Sequence, residues 1–147
     1  MKKNYTALFY TCSLIEYIAR ATKNERAFVV NTLGDNLSRI YKYHDIFHCE
    51  PIEKVADEFI EKTGIRVGDF DNVSACRYTV PDYWDIGEVF ARLIEDTTDD
   101  TTDVATAIKN IYGSWIAEKI LNFNSDLYYH SREYLATGYI EGHVIAA

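Results

Sequence analysis

Apolar positions recur every three or four residues along most of this chain, the spacing of helices that turn one side toward a core. Over 5–22, Leu8, Cys12, Ile15 and Ala19 form one stripe, with Tyr5, Phe9 and Ile18 beside it. A short second helix carries Phe28, Val29 and Leu33, with Asn24 placed to cap its start and Gly34 its end. A third, capped by Asp35 or Asn36, carries Leu37, Ile40, Tyr41, His44 and Phe47 or His48. Cys49-Glu50-Pro51 then breaks the chain, and Pro51 suits the first position of a fourth helix, where its missing N–H is not needed. That helix has the clearest stripe (Ile52, Val55, Ala56, Phe59 and Ile60) and ends at Gly64.

A fifth helix opens at Asp82 and carries Ile86, Val89, Phe90, Leu93 and Ile94. Gly87 inside it weakens it by about 1 kcal/mol relative to Ala. The polar run Asp96–Asp103 reads as a connector whose last residues cap a long helix from Val104 to Asn122. A last helix follows Ser131, with Tyr134, Leu135 and Tyr139 inward, and the chain end frays from Gly142.

Residues 65–81 break the pattern. Turn formers alternate with spaced apolar residues, and Pro81 pushes Val80 out of the helical region, so this stretch reads as a loop, short strand or hairpin. No fixed-period repeat and no long linker interrupts the 147 residues. The expectation is therefore an all-α single domain over 1–147, a bundle of six or seven helices with a short irregular or β-like insert near 65–81. A domain of this length buries roughly 68–70% of its unfolded surface and needs no disulfide or metal to hold it.

Charge narrows the partners. The formal net charge is −8, and it is uneven: residues 1–49 carry +3 and residues 50–147 carry −11. Such a surface repels phosphate backbones and anionic membranes, and it attracts basic proteins. Direct nucleic-acid binding and membrane association are thus not expected. Three cysteines with no CxxC speak against a disulfide framework and for a reducing, cytoplasmic compartment. The start Met1-Lys2-Lys3 precedes an apolar run, Ala7–Ile15, that Thr11, Cys12 and Ser13 interrupt, which is unlike a secretory signal. No uninterrupted apolar run reaches the roughly 18 residues of a membrane span.

The motifs for chemistry are thin. His44 and His48 stand at i, i+4 beside Cys49, a spacing that metal sites use, but no HExxH, CxxC or second histidine pair supplies further ligands. A packed, hydrogen-bonded histidine is the ordinary explanation, and no metal or other cofactor is expected. The Asp96–Asp103 run lacks the glycine and spacing of a calcium loop. Cys12 lies on a core stripe, whereas Cys76 beside Arg77 is the cysteine placed for a lowered pKa. Phosphate-binding glycine loops and a GxSxG elbow are absent. Glu53, Asp57 and Glu61 run along the polar face of the fourth helix at i, i+4, i+8, as a solvated face does.

Aromatic content is the stronger signal. Twelve tyrosines and two tryptophans exceed the needs of one small core, and tyrosine and tryptophan favour interfaces. From Asp82 to Asp103 there are eight acidic residues and one arginine. The reading is a non-enzymatic, cytoplasmic interaction module that docks a basic protein on Tyr78, Tyr83, Trp84, Asp85 and Glu88. Two alternatives stand beside it: a small enzyme or metal-binding domain using His44, His48 and a cysteine, and a structural homo-oligomer. The runs Asp71-Asn72-Val73 and Pro81-Asp82-Tyr83-Trp84-Asp85-Ile86-Gly87 are similar to stretches of small bacterial helical proteins that carry no assigned activity. What the resemblance implies is an accessory role, such as that of an antitoxin or immunity protein.

Overall fold

In the computed structural model, which describes residues 3–143, the chain winds around its first helix. Helix α1 (Tyr5–Thr22) starts where the Asn4 side chain accepts from the Ala7 amide at 3.1 Å, and it stops at Lys23, which adopts a left-handed φ of 54°. Most of α1 is buried, and its neighbours are α2 (Arg26–Leu33), α3 (Asn36–Lys42), α4 (His44–Phe47), α5 (Ile52–Thr63) and α6 (Tyr83–Thr97). The outer shell is α7 (Val104–Tyr112), α8 (Trp115–Ile120), a 3₁₀ turn at Leu127–Tyr129, and α9 (Arg132–Glu141), which lies on α6.

The all-α expectation stands, and several caps fall where the sequence places them. Asp82 and Asp85 form a reciprocal capping box on α6, Asp103 and Ser131 cap α7 and α9, and Gly64 closes α5 at a left-handed φ of 65°. Asn24 does not cap α2. It is buried and donates its amide to Thr22 Oγ1 and the Arg66 carbonyl, at 2.9 and 2.7 Å. Pro51 sits one position before α5 rather than inside it.

The helix count is nine α-helices among the described residues, because two of the expected seven are broken. The third divides at Tyr43, whose backbone leaves the helical region. The long Val104–Asn122 helix divides at Gly113-Ser114, where extended Ser114 opens α8 and its hydroxyl donates back to the Ile111 carbonyl at 2.6 Å.

The β-like alternative for residues 65–81 is overturned: the described residues hold no strand. The segment spends its backbone groups on other elements instead of on a hairpin partner. Gly68 and Phe70 donate to the carbonyls of Thr22 and Lys23 at 2.8 and 2.9 Å, and Arg77 donates to Asn124 Oδ1 at 2.8 Å. Gly68 is required there, since a Cβ would lie 2.5 Å from the Lys23 carbonyl oxygen.

Helix α6 crosses α1 with no room for a side chain at Gly87. A Cβ there would stand 2.8 Å from both Cα and N of Ser13. The glycine that weakens α6 locally is thus what lets the two helices meet. No helix among the described residues is long and apolar enough to cross a membrane. The first two residues, and the tail beyond His143 that is expected to fray, lie outside the described residues.

Candidate functional site

The crossing of α1 and α6 sets up a chain of rings on the surface. Tyr5 and Phe9 of α1 stack at 6.3 Å between centroids, Phe9 meets Trp84 at 5.5 Å, and Trp84 stacks on His48 at 5.7 Å. Tyr10 lies against His48 at 5.0 Å. On the other flank Tyr83 contacts Trp84 at 5.3 Å and meets Tyr17 edge-on, at 5.1 Å and 89°. These separations are those of aromatic pairs that attract beyond their burial. Tyr5, Phe9, Tyr17, Tyr83 and Trp84 are half-buried and His48 is exposed, so the rings keep faces toward water while anchored to the core.

Carboxylate charges reach three hydroxyls of this patch. Burial first, then the Glu88 charge, raises the Tyr5 hydroxyl above its ordinary value. Burial and Glu50 push Tyr10 up to about 12, and burial followed by Glu53 and Asp57 raises Tyr17. Glu50 is paired with Lys54 at 3.0 Å and Glu88 with Arg92 at 3.2 Å. Exposed Glu53 and Asp57 form no ion pair among the described residues.

The five residues singled out from sequence divide between two adjoining places. Tyr83 and Trp84 belong to the ring chain. Asp85, Glu88 and Arg92 line a groove of about 450 Å³ between α6 and the 3₁₀ turn, with Tyr128 and Tyr129 across it. Asp85 also accepts from the Asp82 amide in the capping box, which fixes its direction. Tyr78 projects from the loop beside Thr79, which lines this groove, and is 65% exposed. Glu88 links the two places: it lines the groove, and its charge helps raise the Tyr5 hydroxyl.

The histidine and cysteine candidates do not converge. His48 is taken up between the Tyr10 and Trp84 rings, His44 is half-buried, and the Cys49 thiol donates to the Asp45 carbonyl at 3.3 Å. No three metal-ligating side chains come together among the described residues. Cys12 is sealed in the core, where burial pushes its thiol far up. Cys76 turns its thiol to the carbonyls of Tyr78 and Phe123.

One polar cluster went unmarked in the sequence. Glu16 on α1 and Arg26 on α2 are fully buried, paired at 3.1 Å from Nε to Oε1. Arg26 Nη1 donates to Asn72 Oδ1 at 3.4 Å, and the Asn72 amide donates to the Leu121 carbonyl at 2.9 Å. The Tyr112 hydroxyl borders Glu16 and Cys12. Burial raises the Glu16 carboxyl and the Arg26 guanidinium draws it back down. Arg26, Asn72 and Tyr112 form part of the floor of a cleft of about 870 Å³ between the 69–75 loop and the α7–α8 junction. The signal for this cluster was present: Glu16 sits directly between Ile15 and Tyr17 in a mostly apolar helix, and a charge buried in such a helix needs a buried partner.

Comparison of the chain with protein-family models, with curated proteins and with solved structures returns no match.

Proposed function

We propose that this protein is a non-enzymatic interaction module that docks a basic protein on the aromatic face of α1 and α6. The observation that carries this reading is the chain of half-buried rings running from Tyr5 through Phe9 and Trp84 to Tyr83 and Tyr17. Rings held by the core lose little freedom on binding, and a patch anchored by tryptophan and tyrosine has the composition of an interface centre. Carboxylates at its edge would steer a cationic partner and fix its orientation. Asp85, Glu88 and Tyr78 extend the same surface toward the groove.

Three unpaired thiols agree with a reducing compartment, and the setting we propose is the cytoplasm. Neutralising a basic partner by covering it, as antitoxins and immunity proteins do, is the specific form of this reading. The acidic surface disfavours nucleic acid as the direct ligand.

The test is capture from the native host at low and moderate salt, with wild-type protein and the Trp84→Ala variant side by side. One basic protein recovered stoichiometrically by the wild type, released as salt rises and absent with Trp84→Ala, supports the reading. Recovery of the bait alone at both salts rejects it and favours self-association, which light scattering at two concentrations would register.

A further inference from the structure

The cleft between the 69–75 loop and the α7–α8 junction shares no residue with the ring face. Its volume of about 870 Å³ is that of a small-molecule site, and its walls include the half-buried rings of Phe70 and Trp115. The floor is of another kind. Arg26 is 1% exposed, and its guanidinium lies at the foot of the Phe70 wall, with Cζ 5.8 Å from the ring centroid. Nε is taken by Glu16 and Nη1 by Asn72. Nη2 meets no acceptor among the described residues. Buried donors are nearly always hydrogen-bonded, so one left over in the floor of a cleft is a place for an acceptor from outside the chain.

We infer that this cleft is a second binding site, for a flat, uncharged aromatic molecule whose carbonyl oxygen or ring nitrogen accepts from Arg26 Nη2. Charge selects that class. The Arg26 charge is already matched by Glu16 at 3.1 Å. The cleft also carries Glu25, Asp69, Asp71 and Glu118 against Lys119, with Lys23 standing 3.8 Å from Asp71. An anion would cross that negative field, losing its water, to reach a cation whose charge is spent. A cation is attracted to the rim, but it brings no lone pair to Nη2 and meets Arg26 at the floor. A neutral acceptor faces neither obstacle. Flatness follows from the walls, because aromatic rings attract one another beyond the area they bury. Nη2 itself is closed to water, so the acceptor enters as the half-buried Phe70 ring gives way, and the ring of the ligand takes up the contact with the guanidinium face.

The experiment follows the full chain by heteronuclear NMR. Its two tryptophans give two indole N–H resonances, Trp115 in the cleft wall and Trp84 on the ring face. The probes are benzamide, benzoate and benzamidine, which place a neutral acceptor, an anion and a cation on the same ring. Benzamide should move the Trp115 resonance saturably, leave Trp84 in place, and bind about tenfold tighter than either charged analogue. Glu16→Leu/Arg26→Met removes the donor and its counter-charge together, and should weaken benzamide by about tenfold. No saturable shift with benzamide, binding of benzoate or benzamidine as tight as that of benzamide, or movement of Trp84 in place of Trp115 overturns the site. So does undiminished benzamide binding by the folded double variant. The three probes are compared on the wild type, so they decide the matter even where the double variant does not fold.

Discussion

Two neighbourhoods share α1 and handle charge in opposite ways. Around Glu16 the carboxylate and its partner Arg26 are sealed from water, and their hydrogen bonds run inward to Asn72 and the Leu121 backbone. Around Tyr17 and Trp84 the exposed carboxylates stay in water and the rings are half-buried. A buried pair is expensive to desolvate and is held by geometry, so it specifies how α1, α2 and the 69–75 loop meet. Solvated carboxylates beside rings are inexpensive to the fold and remain free to meet a partner. The difference teaches which charges to read as architecture and which as surface chemistry: burial with a partner marks the first, and exposure without one marks the second.

The comparison breaks most readily at Arg26. Arg26→Met leaves Glu16 buried without its cation and is expected to lower stability by about 3–5 kcal/mol, read by chemical denaturation. Adding Glu16→Leu should recover most of that loss, because the unpaired charge is gone. A double variant as unstable as the single one would show that the pair does more than satisfy itself.

Trp84→Ala probes the other neighbourhood. It should weaken partner binding by about 2 kcal/mol or more, as truncating an interface anchor does. Circular dichroism must show the variant folded. Binding unchanged in a folded variant would remove Trp84 from the interface.

Gly87 separates helix propensity from packing. Alanine there gains about 1 kcal/mol in an isolated helix. In the protein it meets Ser13 backbone atoms at 2.8 Å, so overpacking of about 1–3 kcal/mol should win and the thermal midpoint should fall. A rise in midpoint would mean that α6 can move off α1 at little cost, and the ring chain with it.

The smallest effect concerns an exposed carboxylate that does have partners. Hydrogen bonds from the Thr101 and Thr102 hydroxyls, then from their amides, hold Asp99 down to about 2, below its ordinary 3.8. A depressed carboxylate stabilises the fold above its unfolded value and loses that contribution as pH falls from there through about 2. Asp99→Asn should therefore flatten the acid end of the stability curve between roughly pH 4 and pH 2.

Much of this was legible in the sequence, for local reasons. Stripes at helical spacing and end signals such as Asp82, Ser131, Gly34 and Gly64 depend on neighbours a turn away, and they set the helices correctly. The breaks at Tyr43 and Gly113 escaped because apolar residues continue on both sides, as Ile111, Tyr112, Trp115 and Ile116 do. The insert was ambiguous because its hydrogen-bond partners lie up to 49 residues away, as Asn124 does from Ala75. The aromatic segment with Tyr83 and Trp84 was visible in composition. Its ring partners Phe9 and Tyr17 come from α1, and only the packing of α1 against α6 brings them to it.

The central claim is that the ring face binds and the buried pair builds. Titration calorimetry of the captured basic partner tests it most directly, with wild type, Trp84→Ala and the Glu16→Leu/Arg26→Met double variant compared at two salt concentrations. Affinity should fall about 30-fold with Trp84→Ala, stay unchanged with the double variant, and weaken for wild type at higher salt. Affinity that survives Trp84→Ala but is lost with the buried pair would contradict it, and would move the binding function to the cleft above Arg26.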